Sequence, residues 1–161
     1  MIAMRSSMTY PLASARNMAL LVQLRWMAVI GQLVTIGFAS AYLGVVLPLP
    51  QLIAVPVLLA LVSLATMVMG REREGYTYLE LLGALMLDVM ALAWQLYFSG
   101  GSNNPFTFLF LLQIVIGAIL LTSRSSWAIV VAALAALAAL RVDPTPLVLP
   151  PAYADDPMEL Y

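Results

Sequence analysis

The chain has 161 residues, of which 63% are hydrophobic and only 9% are charged, and its mean hydropathy is +0.99. Because a soluble domain carries about a quarter charged residues, this composition indicates an all-α integral membrane protein. The net charge of −1 gives no basic surface for nucleic acid. The absence of cysteine and histidine excludes disulfides, thiolate or imidazole metal sites and a phosphoaccepting histidine. We therefore expect neither a metal site nor catalytic activity in this chain.

Residues 1–25 form the least apolar N-terminal piece, and we expect them to be a cytoplasmic segment in which residues 14–25 make a short helix on the membrane surface. Residues 26–141 are expected to be a bundle of about five transmembrane helices. The predicted spans cover about 26–47, 51–69, 78–98, 106–122 and 127–140. The fifth span is short for a full crossing, and a turn at Ser123–Ser126 is expected to precede it.

Residues 142–161 are rich in proline and acid, and they are expected to be an extended periplasmic segment. The chain has no lysine, so its orientation depends on arginine. With the N-terminus in the cytoplasm, six arginines fall inside and only Arg141 falls outside. These six are Arg5, Arg16, Arg25, Arg71, Arg73 and Arg124. This bias predicts a multi-pass protein of the bacterial inner membrane with a cytoplasmic N-terminus.

A polar stretch, Gly100–Phe106, separates the third and fourth predicted spans, and we call it the heptapeptide loop. Gly100 and Gly101 can take the positive φ that closes a helix. Asn104 suits the N-cap of the next helix and Pro105 its first turn. These features suit a plain connector. The loop is also flanked by aromatic residues at a membrane face, where free N–H groups could meet a carbonyl or an anion.

Four polar side chains within the spans are candidates for the bundle interior, and Asp88 is the most costly of them in a bilayer. We expect Asp88 to face the bundle interior, with Gln95 on roughly the same helix face toward the outer leaflet. Gln32 and Gln113 are the other interior candidates. Either these groups pair with one another between helices, or Asp88 has a ligand or proton role. A further expectation is that Gly31, Gly37 and Gly44 mark close helix approach.

Three stretches resemble the RegB/PrrB-type redox-sensing histidine kinases. Residues Gly100-Gly101-Ser102-Asn103-Asn104-Pro105-Phe106 match that family's GGxxNPF heptapeptide at every fixed position. Residues 24–32 resemble the LRW…GQ opening of its first membrane helix, and Leu87-Asp88-Val89 resembles the LDV of the helix before the heptapeptide. The order and spacing also agree, so that the resemblance covers about residues 20–160.

The resemblance implies the quinone-binding, redox-sensing input domain of a two-component sensor histidine kinase. Ubiquinone would be the sensed ligand. Its binding residues would be those at the fixed positions of the motif, together with Asn103, which fills a variable position and is included for its side-chain amide. These residues are Gly100, Gly101, Asn103, Asn104, Pro105 and Phe106. Secondary candidates are Asp88, Gln95, Trp94 and Gln113. The aromatic surroundings suit a quinone, which needs an apolar pocket with a few donors.

The chain departs from the family in one respect. The family's sixth membrane helix, histidine-bearing dimerisation region and ATP-binding domain have no counterpart here, which implies an isolated sensor module, either an excised fragment or a truncated gene product. A homodimer and a response regulator would be partners only through the parent kinase. Two other classes stay open: a small transporter or channel subunit that uses Asp88, and an assembly subunit of a respiratory membrane complex.

Overall fold

The chain folds into a bundle of five α-helices that follow one another in an up-and-down order. The computed structural model describes residues 3–42, 47–72 and 75–142, with side chains from Ala15 onward except that of Glu72. The helices are α1 (Ala3–Ala41), α2 (Leu49–Met69), α3 (Tyr78–Tyr97), α4 (Leu109–Leu120) and α5 (Ser123–Val142). No strand occurs in the described residues. The predicted all-α membrane fold is confirmed.

Four helices are long and apolar enough to cross a membrane, namely α2, α3, α5 and the Ala15–Ala41 part of α1. The fourth predicted span is the short one. It consists of a 3₁₀ turn at Pro105–Phe108 followed by the 12 residues of α4. The chain is therefore a multi-pass membrane bundle in which α4 is the shortest of the five helices.

The fifth span is longer than predicted, because the helix begins at Ser123 and contains the serines that were expected to form a turn. The hydroxyl of Ser126 donates to the carbonyl oxygens of Thr122 and Gly117, at 3.0 Å each. Thr122 also donates through Oγ1 to Ser125 Oγ at 3.2 Å. Serine hydroxyls bonded in this way lose their tendency to interrupt a helix, so the expectation of a 14-residue span was wrong.

The N-terminal part of the chain also differs from expectation. A separate surface helix over residues 14–25 was predicted, whereas α1 runs without a break from Ala3 to Ala41. Met18 and Leu21 are almost fully buried and pack in the main core with Leu81 and Leu85 of α3. The apolar part of α1 therefore begins well before Trp26. Besides residues 1–2, three segments lie outside the described residues: 43–46, which includes Gly44 near the end of the first predicted span, 73–74 between α2 and α3, and 143–161.

The start of α3 is defined by a capping box. Thr77 Oγ1 accepts from the backbone N–H of Glu80, and Glu80 Oε2 accepts from the backbone N–H of Thr77 at 2.7 Å. Two donors that a helix N-terminus leaves unpaired are satisfied in this way. The cap explains why Glu80, a charged residue, is accommodated at the end of a membrane helix.

The core consists of two clusters. The larger one joins α3, α4 and α5 to the first turns of the apolar part of α1, and the smaller one joins α1, α2 and α3 through Val29, Val55, Leu59 and Ala91. At Gly117, α4 and α5 approach closely, since a Cβ there would lie 3.2 Å from Ile129 Cγ1. Gly31 and Gly37 have no atom within 4 Å of such a Cβ. The expectation that these two glycines mark close approach was therefore wrong within this chain.

Candidate functional site

The heptapeptide loop connects α3 to α4 through two backbone turns. Gly100 and Gly101 both have positive φ, at 108° and 63°, as predicted for the residues that end α3. Residues Gly101–Asn103 form a 3₁₀ turn that packs against α5 as well as α3. Gly101 is buried there, whereas Asn103 is exposed.

Asn104 holds the loop together and is only 6% exposed. Its Nδ2 donates to the backbone oxygen of Ser99 at 2.7 Å and to Ser99 Oγ at 2.9 Å. Its Oδ1 accepts from the backbone N–H of Phe106 at 2.9 Å, which is the predicted N-cap, and Pro105 occupies the first turn as predicted. Both amide hydrogens of Asn104 are therefore used within the loop.

Ser99, directly before the loop, takes part in its hydrogen bonds and was not singled out from the sequence. Its hydroxyl donates to the backbone oxygen of Gln95 at 2.8 Å while it accepts from Asn104. A chain of hydrogen bonds thus runs from the last turn of α3 to the first turn before α4. A serine directly before a Gly-Gly pair and five residues before a capping asparagine is a signal that could have found it.

The N-terminus of the 3₁₀ turn Gly101–Asn103 brings backbone N–H groups to the surface of the loop that no bond within the turn uses. In a bilayer, where water is scarce, such a group favours any acceptor that can reach it.

Aromatic rings cover the α3 side of the loop. Phe98 contacts Trp94 with a centroid distance of 5.2 Å and Tyr97 with one of 5.1 Å, the latter edge to face. Trp94 is 51% exposed, and Phe106, which follows Asn104, is 42% exposed. The loop therefore presents flat apolar rings beside its backbone donors.

Asp88, a secondary candidate, lies in an ion pair with Arg25 of α1. Arg25 Nε donates to Asp88 Oδ1 at 2.7 Å and Nη2 donates to Oδ2 at 3.1 Å, while Nη2 also donates to the carbonyl oxygen of Ala84 at 3.0 Å. Arg25 is 4% exposed. Asp88 faces the interior as predicted. The placement of Arg25 in a cytoplasmic segment was wrong, because the buried carboxylate needs a cation at the same depth.

The glutamines do not pair with Asp88. No hydrogen bond joins Asp88 to Gln32, Gln95 or Gln113 in the described residues, where the partner of Asp88 is Arg25. Gln95 is buried in α3, as expected for its helix face, and Gln113 of α4 is half-buried. The Oε1 atom of Gln32 is buried and has no hydrogen-bond partner in the described part of the chain.

A separate apolar cleft of about 270 Å³ lies between α1 and α4, at the end of α4 opposite the loop. Its lining comes from α1 and from the last turns of α4, and consists of Leu20, Gln23, Leu24, Met27, Ile116, Ile119 and Leu120. Ile116 is ten residues beyond Phe106, which corresponds to about 15 Å along the helix axis. This cleft therefore does not belong to the heptapeptide loop. Among the described residues, no group of three or more acidic, histidine or cysteine side chains could hold a metal ion.

These features define a class: a multi-pass helical membrane module with a hydrogen-bonded loop at one face and a buried ion pair between its first and third helices. A comparison with known proteins identifies a relative of this chain. The chain is 36% identical over 107 residues to the sensor histidine kinase RegB of Cereibacter sphaeroides, a match that covers 66% of this chain and 23% of that protein. The chain is thus related to the RegB-type sensor histidine kinases, and the predicted resemblance is confirmed.

The similarity concerns a part of the relative, since the chain spans less than a quarter of its length. No protein-family model matches the chain. No solved structure matches it either. The relationship therefore supports a sensor-kinase membrane domain, and the ligand has to be argued from the residues.

Proposed function

We propose that this chain is the quinone-binding, redox-sensing input domain of a two-component sensor histidine kinase, with ubiquinone as the sensed ligand. The observation that carries the proposal is the start of the 3₁₀ turn at Gly101, with its backbone N–H donors, next to the exposed rings of Trp94 and Phe106. A quinone offers two carbonyl acceptors on a flat apolar ring. It is therefore suited to both features.

Each residue of the loop has a part in this proposal. Gly100 and Gly101 supply backbone donors to a quinone carbonyl, and exposed Asn103 adds a side-chain amide. Phe106 gives a ring face for stacking. Asn104 acts differently from the sequence hypothesis: because both of its amide hydrogens bond to Ser99, it shapes the loop and does not donate to the ligand.

The remaining properties of the parent kinase are extended to this chain as part of the same proposal. We place the module in the bacterial inner membrane with its N-terminus in the cytoplasm. Because Arg25 is buried, we leave it out of the count of arginines at the two membrane faces. Five arginines then remain on the cytoplasmic side, compared with Arg141 alone on the other side. A homodimer and a response regulator would be partners of the longer protein.

The test is ubiquinone binding to the purified chain in nanodiscs, with the oxidised and reduced forms compared. Phe106→Ala is expected to weaken binding about tenfold, as loss of one aromatic contact worth about 1.4 kcal/mol. Asn103→Ala should weaken binding less. The control is Phe108→Ala, which removes a ring two residues away that is 60% exposed, against 42% for Phe106.

The outcome decides between a ligand site and a connector. Saturable binding that distinguishes the redox states and is lost in Phe106→Ala supports the site at the loop. If Phe106→Ala and Phe108→Ala behave alike, or if no saturable binding occurs, the loop is only a helix connector.

The transporter hypothesis loses its main support in this structure. A proton- or ion-handling group must be able to change partners, whereas Asp88 is held by two hydrogen bonds from Arg25. Flux in sealed vesicles that disappears with Asp88→Asn would restore it. The assembly-subunit hypothesis would need stable co-purification with a respiratory complex.

A further inference from the structure

The cleft between α1 and α4 has no part in the proposed quinone site, and its position suggests a different ligand. Leu20 of α1 and Leu120 at the end of α4 both line the cleft. From there the cleft follows α1 to Met27. Seven residues of helix correspond to about 10 Å, which suits the upper part of an acyl chain.

Two exposed arginines lie close in sequence to one end of the cleft. Arg16 comes one helical turn before Leu20, and Arg124 lies in the first turn of α5, four residues after Leu120. Leu20 and Leu120 both line the cleft, so each arginine is four positions from a lining residue. Neither has an ion-pair partner in the part of the chain that the structure describes.

We propose that this cleft binds an anionic phospholipid, with an acyl chain between α1 and α4 and the phosphate between Arg16 and Arg124. Guanidinium groups recognise phosphate through paired N–H donors, and basic pockets between membrane helices bind anionic headgroups. The cleft lining contains no acidic residue that would oppose such a headgroup. Gln23 is the one polar residue in this lining.

The charge requirement is tested by native mass spectrometry of the whole chain in detergent. The protein is titrated with phosphatidylglycerol and with phosphatidylcholine of identical acyl chains. We expect phosphatidylglycerol to bind more tightly, and Arg16→Ala and Arg124→Ala each to weaken it about fivefold while phosphatidylcholine binding is unchanged. The matched control is Arg71→Ala, which removes an exposed arginine at the end of α2, away from the cleft.

The acyl-chain requirement is tested by filling the cleft. Leu24→Trp should abolish binding of both lipids, whereas Leu33→Trp, at an equally exposed position of α1 outside the cleft, should leave binding as it is. Circular dichroism checks that both variants keep their helix content. If Leu24→Trp does not fold, the arginine variants alone decide.

Three results would overturn the proposal. Equal binding of the two lipids would contradict the proposed contact between the arginines and the headgroup. An effect of Arg71→Ala as large as that of Arg16→Ala would contradict it as well. One-for-one displacement of phosphatidylglycerol by ubiquinone would assign the cleft to quinone. Phe106→Ala is expected to leave phosphatidylglycerol binding unchanged, so that this site and the proposed quinone site can fail independently.

Discussion

Asn104 shows how a single side chain shapes the heptapeptide loop. Its carbonyl oxygen caps the turn that leads into α4, while its amide nitrogen is bonded twice to Ser99 at the end of α3. The sequence predicted the cap, because an Asn-Pro pair before an apolar run is typical of a helix start. It did not predict the contact with Ser99, which depends on how Gly100 and Gly101 fold the chain back.

The prediction at this scale concerns the stability of the loop. Asn104→Ala should lower the free energy of unfolding by about 1–2 kcal/mol, because it removes the cap and leaves the buried acceptors of Ser99 unpaired. Asn103→Ala, at the exposed neighbouring position, should change it by less than about 0.5 kcal/mol. The measurement is thermal unfolding of the detergent-solubilised chain. Equal shifts for the two variants would mean that Asn104 does not organise the loop.

At the scale of elements, the ion pair of Arg25 and Asp88 fixes α1 against α3. Both hydrogen bonds of the pair and the bond from Arg25 to the carbonyl of Ala84 lie among apolar neighbours. Removing one partner leaves a buried charge without compensation, whereas replacing both with apolar residues does not. We therefore expect single and double substitutions of the pair to affect stability differently.

Arg25→Met or Asp88→Leu alone should lower the free energy of unfolding by about 3–5 kcal/mol, and the double variant should recover most of that loss. Arg16→Met is the control, because it removes an exposed arginine from the same helix. Unfolding in mixed micelles measures these differences. A double variant that is as unstable as the sum of the two single variants would show that the residues do not act as a pair.

At the scale of the whole molecule, the proposed topology puts the heptapeptide loop and the α4–α5 turn on opposite faces of the membrane, because one helix, α4, connects them. The chain has no cysteine, so a single introduced thiol can be labelled without a background signal. Asn103→Cys and Ser123→Cys put thiols at exposed positions of the two faces.

A membrane-impermeant maleimide added to intact cells should label Asn103→Cys and leave Ser123→Cys unlabelled until the membrane is opened. This result follows from the arginine distribution, which keeps the α4–α5 turn in the cytoplasm. Labelling of Ser123→Cys in intact cells would reverse the proposed orientation. Labelling of both positions would contradict the odd number of crossings between them.

The sequence predicted the features that depend on local chemistry. The ends of α2 and α3 were placed within two residues, because proline, glycine and charged residues limit a membrane helix directly. The α4–α5 region was predicted less well, since the hydroxyl of Ser126 finds an acceptor on Gly117, nine residues earlier. The partner of Asp88 was missed for a similar reason: it lies 63 residues away, and no periodicity relates the two positions.

That separation of 63 residues has a consequence for biosynthesis. When α1 leaves the ribosome, the carboxylate that neutralises Arg25 has not yet been translated. A lone arginine at mid-helix costs about 2.5–3.5 kcal/mol on insertion scales, so α1 does not reach its final depth by itself. We infer that α1 stays at the edge of the translocon or among the lipid headgroups until α3 has been synthesised. The first three helices would then enter the bilayer as one group.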